Sequence, residues 1–136
     1  MKKFKTFFIL IIVVMGLFTF PAAASNLMDA NLYASFHYIP ILQDSAEAYT
    51  FYGTGAYCKT AAAQVEVKAY KSDGSYNSSG VITRYGWDAV SGEGTSGICS
   101  GTAKIRAMSK AISTHKGNTT GSSTNWTEIT TLKITK

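Results

Sequence analysis

The chain has 136 residues and a formal net charge of +5, from 13 Lys or Arg against 8 Asp or Glu. Lys2, Lys3 and Lys5 carry three of the positive charges, so residues 25–136 keep 10 basic and 8 acidic side chains, a net of +2. Nucleic-acid or anionic-membrane binding needs clustered Lys and Arg, and the densest basic stretch, AKIRAMSK (103–110), alternates them with small residues. We therefore expect no nucleic-acid partner, and membrane contact only through the N-terminal leader.

That leader has the three parts of a secretory signal peptide. A basic start, MKKFK, precedes a 15-residue apolar run from Thr6 to Phe20, and small residues follow it. Ala22 and Ala24 fit an Ala-x-Ala site, which predicts cleavage after Ala24. An uncleaved anchor is the alternative, but the run is shorter than the roughly 20 residues that span a bilayer. We expect a signal peptide at 1–24, one domain at 25–136, and a secreted product.

The first half of the domain shows short runs that alternate apolar and polar residues, which predicts β-strands. These runs are NLYASFHYI (31–39), the aromatic-rich AYTFYGTGAYC (48–58), and AAAQVEVKAYK (61–71). Asp73-Gly74 then predicts a hairpin turn, because the pair tolerates positive φ. In the first run, Leu32, Ala34, Phe36 and Tyr38 share one face. In the third run, the residues that we expect to face inward are Ala61, Ala63, Val65, Val67 and Ala69.

The second half continues the strand pattern with longer polar connections. VITRYGWDAV (81–90) predicts a strand, SGEGTSGICSG (91–101) a long Gly-rich loop, HKGN (115–118) a turn, and NWTEITTLKIT (125–135) a last strand. Six to seven short strands in a domain of this size predict an all-β fold of packed antiparallel sheets. We expect a small β-sandwich, or a flattened barrel as the alternative.

One segment, TAKIRAMSKAIS (102–113), fits two structures. Ile105, Met108 and Ile112 have the spacing of a helical stripe, and Ala, Lys, Arg and Met favour helices. Strand alternation instead places small residues on one face, like the Ala and Val face of 61–69, and the expected turn at 115–118 leads into another strand. We favour a strand, with a helix as the alternative.

The chain has two cysteines, Cys58 and Cys99. An even number of cysteines in a secreted chain favours a disulfide. Closing the loop of about 40 residues between them stabilises the folded domain by about 4 kcal/mol in the chain-entropy model. A redox pair usually has the pattern C-x-x-C, whereas these two cysteines are 41 positions apart. A metal site would need more ligands, and only His37 and His115 could supply them, at no recognisable spacing. We therefore expect a Cys58–Cys99 disulfide and no metal or cofactor.

Signals of catalysis are weak. His37 could act as a general base, and Asp88 and Glu93 could form a carboxylate pair for glycoside cleavage, but no spacing brings them together. His115 lies in STHKGN, where we expect a turn residue. Because no hydrolase, zinc or phosphate-binding motif is present, we expect a protein that is not an enzyme.

The aromatic residues indicate a different role. Tyrosine joins an apolar ring to a polar hydroxyl, so a row of tyrosines on a sheet can form a recognition surface. The alternative is that these rings fill the core, since sheets favour Tyr, and we expect Trp87 to be buried. The candidate binding surface is Tyr49, Tyr52, Tyr57, Tyr70 and Trp126.

The order GTGAYC, VEVKAY with a DGSY turn, and GTAKIRAMSKA resembles small secreted proteins of Gram-positive bacteria, over roughly residues 53–113. The resemblance implies a secreted β-sandwich of bacterial origin and assigns no functional residue. Our leading hypothesis is a secreted, non-enzymatic binding or cell-surface accessory domain, with a cell-wall glycan or a protein as ligand. A secreted antimicrobial or toxin-like factor is the alternative, and a small secreted hydrolase using His37 or Asp88 and Glu93 a lesser one.

Overall fold

The computed structural model describes residues 16–21, 28–39, 41–53, 60–87 and 96–136, and within these ranges every regular element is a β-strand. No helix among the described residues is long and apolar enough to cross a membrane. The strands are β1 Gly16–Pro21, β2 Met28–Phe36, β3 Gln43–Gly53, β4 Thr60–Tyr70, β5 Tyr76–Ser78, β6 Ile82–Trp87, β7 Ser96–Arg106, β8 Lys110–Asn118 and β9 Glu128–Thr135.

The strands form two antiparallel sheets that pack face to face as a β-sandwich. The first sheet has the order β1-β2-β3-β7. The second has the order β5-β4-β8-β9, and β6 pairs with the same edge of β4 as β5, further toward the start of β4. The all-β sandwich predicted from the sequence is therefore confirmed.

The core lies between the inner faces of the two sheets. The five residues predicted to face inward in β4, from Ala61 to Ala69, are all buried. Leu32, Ala34 and Phe36, which share one face of β2 as predicted, are buried as well. Tyr38 is the exception, because β2 ends at Phe36 and a turn follows, in which the Leu42 amide donates to the Ile39 carbonyl. Beyond the end of the strand, alternation no longer applies, and Tyr38 is 67% exposed.

Residues 102–113 form strand and not helix, as favoured, but they belong to two strands. β7 ends at Arg106, Ala107 takes a φ of +53°, and β8 begins at Lys110. Buried Asp44 fixes this turn, because one carboxylate oxygen accepts the Met108 amide at 2.7 Å. Its other oxygen accepts the His37 amide at 2.6 Å, so Asp44 joins the end of β2 to the β7–β8 turn.

Of the three connections predicted from the sequence, the HKGN turn was wrong, the Gly-rich loop was wrong for residues 96–101, and the Asp73-Gly74 turn was right; residues 91–95 lie outside the described residues. HKGN (115–118) lies inside β8, and residues 96–101 of the expected Gly-rich loop begin β7. In both strands glycine lies on the inner face where the opposite sheet comes close: a Cβ on Gly97 would lie 2.7 Å from the Ala63 backbone nitrogen. The turn at Asp73-Gly74 is confirmed, with Gly74 at a φ of +87° between β4 and β5.

Candidate functional site

Aromatic and aliphatic side chains gather on the outer surface of the β2-β3-β7 sheet. We define the outer aromatic face as Tyr33, Tyr49, Phe51 and Ile98. Phe51 and Ile98 lie directly opposite each other on β3 and β7, and they are 39% and 60% exposed. Tyr49 lies two residues before Phe51, on the same face of β3, and is 38% exposed. Three neighbouring strands therefore present one apolar surface to solvent.

Contacts within this face hold the rings in place. The Tyr33 and Tyr49 rings pack edge to face, with centroids 5.8 Å apart and an interplanar angle of 80°. The Tyr49 hydroxyl donates to a Glu47 carboxylate oxygen at 2.5 Å, and this bond raises the pKa of Tyr49. The Phe51 ring lies over Gly53, where an added Cβ would overlap it. Rings positioned in this way lose little conformational freedom when a ligand binds.

Polar groups border the outer aromatic face. Asp29 and Asn31 on β2 lie opposite Phe51 and Tyr49 in the strand register. On the β7 side, an open groove of about 200 Å³ is lined by Tyr49, Ile82, Arg84, Ile98, Cys99 and Ser100. The face thus combines an apolar platform with carboxylate, amide and guanidinium groups, which suits a ligand with both apolar faces and hydroxyls.

The five residues predicted from the sequence do not form one surface. Tyr49 belongs to the outer aromatic face, whereas Tyr52 is 1% exposed and faces the core against Gly117. The expectation for Tyr52 was wrong because neighbours in a strand point to opposite faces, so residues 49 and 52 cannot share one. Tyr57 lies outside the described residues.

Tyr70 and Trp126 lie away from Tyr49. Tyr70 is half-buried on the other sheet, with its ring 5.2 Å from that of Tyr76 and the Lys110 ammonium 5.0 Å from its centre. Trp126 is half-buried in the connection before β9. Phe51 and Tyr33 were missed, although their alternation with buried neighbours would have identified them. Ile98 was missed because it lies in the segment that was predicted to be a loop.

Trp87 was expected in the core, and it is 66% exposed. Its strand, β6, turns Ile82 toward the core, and Trp87 has the opposite parity, so it lies on the outward face. Tyr85 lies on the same face, with its ring centre 5.8 Å from that of Trp87. This pair forms a second aromatic surface, on the opposite face of β6 from Arg84.

A buried polar chain crosses the sandwich at His115. Its Nδ1 lies 2.8 Å from the Thr50 hydroxyl, and its Nε2 lies 2.7 Å from the Ser113 hydroxyl. Thr50 donates its one hydroxyl proton to the Gln64 carbonyl at 3.0 Å. It must therefore accept from Nδ1–H, which leaves Nε2 to accept from Ser113. Burial lowers the pKa of His115 to about 4, so the ring is neutral at pH 7.

This Ser-His contact has the spacing of a nucleophile and its base, but Ser113 and His115 are both 0% exposed. No substrate can reach these atoms in the folded domain. The chain instead satisfies the polar groups of the core, where a bonded network fixes one arrangement. The sequence indicated a surface turn at His115 and missed this network.

The other expected catalytic groups form no active site among the described residues. His37 Nδ1 lies 3.1 Å from an Asp44 carboxylate oxygen, a distance compatible with general-base chemistry. However, Asp44 is 1% exposed and both its oxygens accept backbone amides, so the pair serves the turn. Asp88 and Glu93 lie outside the described residues. The described part of the chain holds no group of three metal-ligating side chains.

Cys99 lies on the inner face of β7, and it is 4% exposed. Burial raises its pKa to about 11, and the Thr50 side chain and Arg84 partly offset this effect. Its expected partner, Cys58, lies outside the described residues, so the disulfide stays a prediction. A thiol that is buried and protonated reacts slowly with alkylating reagents.

Comparison with known proteins assigns no family. No family model and no curated protein matches the chain. One similar solved structure is described as "Crystal structure of putative beta-galactosidase from bacteroides fragilis", with 11% identity and a TM-score of 0.35. The similarity covers 89% of this chain and 16% of that one, and likeness at this level supports no functional argument. The resemblance to secreted proteins of Gram-positive bacteria stays a prediction.

Proposed function

We propose that this protein is a secreted, non-enzymatic binding domain that acts as an accessory at the bacterial cell surface or in the surrounding medium. The outer aromatic face is the ligand-contacting surface, and this face is the observation that carries the proposal. Tyr49, Phe51 and Ile98 are each more than one third exposed to solvent. Such residues are enriched at the centres of recognition sites, because their burial by a ligand releases much apolar surface.

A cell-wall glycan is the ligand class that this face suits best. Sugar rings offer apolar C–H faces that pack on aromatic rings and hydroxyls that hydrogen-bond to carboxylates and amides. Asp29, Asn31 and Glu47 lie beside the rings at suitable positions. The groove is open to solvent, which suits one face of a chain polymer. The alternative ligand is a protein, and the binding experiment below distinguishes it from a glycan.

The binding proposal predicts that Tyr49→Ala and Phe51→Ala each weaken retention on purified cell walls. Truncation of a central aromatic residue commonly costs 2 kcal/mol or more, so we expect roughly a thirtyfold loss of affinity. The measurement is co-sedimentation with insoluble cell wall, followed by titration with soluble wall fragments.

Tyr76→Ala is the matched control, because Tyr76 is 51% exposed on the other sheet. It should bind like the wild type. Equal retention of all three variants and the wild type would remove the outer aromatic face from the mechanism. Retention on protease-treated cells but not on glycan-digested cells supports a glycan, and the reverse supports a protein.

Secretion and the disulfide make a second, separate prediction. The protein recovered from culture medium should begin at Ser25, and two alkyl groups should add only after reduction. Alkylation must be done in denaturant, because buried Cys99 would resist the reagent in the folded domain even as a free thiol. Full-length protein that stays with the cells, or two alkyl groups without reduction, would argue for an anchored chain with free thiols.

The alternatives have less support. An antimicrobial or toxin-like factor acting on anionic surfaces needs a strong positive charge, and residues 25–136 carry a net of +2. A hydrolase would need accessible acid–base groups, and the His37–Asp44 pair is committed to backbone amides. Growth inhibition of neighbouring bacteria by the purified protein would favour the first alternative over the binding domain.

A further inference from the structure

The outer edge of β2 lacks the features that normally protect an edge strand. Such strands usually carry lysine, proline or a bulge that prevents pairing with another chain. β2 has nine regular residues, MDANLYASF, and Asp29 is its one charged residue. β9, at the edge of the other sheet, is one residue shorter and carries both Glu128 and Lys133. The sequence of β2 is thus that of a strand covered on both edges.

In the full-length chain, β1 covers this edge. It pairs with β2 antiparallel over six residue pairs, from Gly16 opposite Phe36 to Pro21 opposite Asn31. β1 belongs to the segment that the sequence predicts to be the leader. Cleavage after Ala24 would therefore remove β1 and take away the partners that residues 31–36 of β2 find in it, at a cost for each amide or carbonyl that stays unpaired.

We propose that in the secreted protein a second copy replaces β1, so that two β2 strands pair antiparallel about a two-fold axis. This inference rests on the leader cleavage included in the proposed function. The two β2-β3-β7 sheets then join into one six-stranded sheet. A two-fold interface must be self-complementary, and β2 meets this condition.

The register that overlaps all nine residues places Leu32 opposite Leu32 on the axis. On the inner side Ala30 then meets Ala34 and Met28 meets Phe36, which are apolar pairs throughout. On the outer side Asn31 meets Tyr33 and Asp29 meets Ser35, so that no like charges face each other. In this register, even-numbered residues lie opposite even-numbered ones and odd opposite odd, as they do between β1 and β2. The amides and carbonyls that β2 turns outward in one copy therefore face those of the other copy.

The test is the assembly state of the protein recovered from the medium, with its N-terminus established by intact mass. Analytical ultracentrifugation should give twice the mass of the 25–136 chain. Ser35→Asp should raise the dimer dissociation constant roughly tenfold, because it places Asp29 of each copy opposite a new aspartate of the other. The change should leave each folded subunit intact, since residue 35 lies opposite Ser45 within the sheet.

The double variant Asp29→Lys with Ser35→Asp should restore dimerisation, because each new aspartate then lies opposite a lysine of the other copy. If Ser35→Asp instead weakened the dimer by disturbing the fold of the subunit, adding Asp29→Lys would not restore it. A monomer at all concentrations in the processed protein would overturn the proposal. So would a secreted chain that retains residues 16–21, because the edge is then never vacated. Cell-wall binding is measured separately on the wild-type protein, so a wild-type dimer that does not bind cell walls contradicts only the proposed function.

Discussion

The free energy of unfolding should fall by about 3 kcal/mol between pH 7 and pH 4 because of His115 alone. Burial holds the pKa of its imidazole at about 4 in the folded state, whereas the unfolded chain has the ordinary value near 6.5. Between these values the unfolded state binds the proton and the folded state does not. The stabilisation is therefore complete above pH 6.5 and is lost as the pH falls toward 4.

The structural reason is that the groups bonded to this imidazole, among the described residues, carry no charge. The strand neighbours of His115 are Val65 and Thr130. Its ring meets the Thr50 and Ser113 hydroxyls and the Tyr49 backbone, and this backbone bond only partly offsets the effect of burial on its pKa. Protonation would turn Nε2 into a hydrogen-bond donor. The Ser113 hydroxyl already directs its own proton at Nε2, so two donors would face each other. A buried charge with no counter-ion is one of the costliest changes that a core can undergo.

The experiment is urea unfolding at pH 7, 6, 5 and 4, followed by tryptophan fluorescence. His115→Gln should be less stable than wild type at pH 7, by about 1–3 kcal/mol, because a core hydrogen bond is lost. Its stability should change much less between pH 6.5 and 5, where carboxylates contribute little. His37→Gln is measured alongside, so that the contribution of the second histidine to the slope is known separately. An unchanged slope in His115→Gln would contradict this account.

Alternation along each strand determined how much of the fold could be predicted. Where the inner face is apolar, as from Ala61 to Ala69, sequence and structure agree residue by residue. In β8 the inner face holds Ser113, His115 and Gly117, and polar or small residues at core positions look the same as a turn. The glycines of β7 were misread for the same reason: they allow close sheet packing, which no local pattern reveals.

The candidate site was predicted only in part, because the prediction grouped residues by side-chain type and not by the face of the strand on which alternation places them. Tyr49 and Tyr52 are both tyrosines, but they lie on opposite faces of β3. Parity alone would have grouped Tyr49 with Phe51. The contribution of Ile98 depends on the β3–β7 pairing, which joins residues 47 positions apart and cannot be derived from either strand alone.

Gly117→Ala should destabilise the domain strongly, by about 1–3 kcal/mol or more. The added Cβ would overlap the ring of Tyr52, which packs over Gly117 from the opposite sheet. Tyr52 is 1% exposed, and its hydroxyl lies 3.4 Å from the Thr127 hydroxyl, so the ring has no free space to move into.

Tyr52→Ala provides the matched background for this test. Alone it should cost about 3–5 kcal/mol, because a large buried ring leaves a cavity. In that background Gly117→Ala should be neutral or stabilising, since its methyl group now enters empty space and alanine restricts the unfolded chain more than glycine does. Urea unfolding of the four proteins gives the coupling energy directly. Equal costs of Gly117→Ala with and without the Tyr52 ring would mean that the contact across the sandwich does not fix glycine at this position.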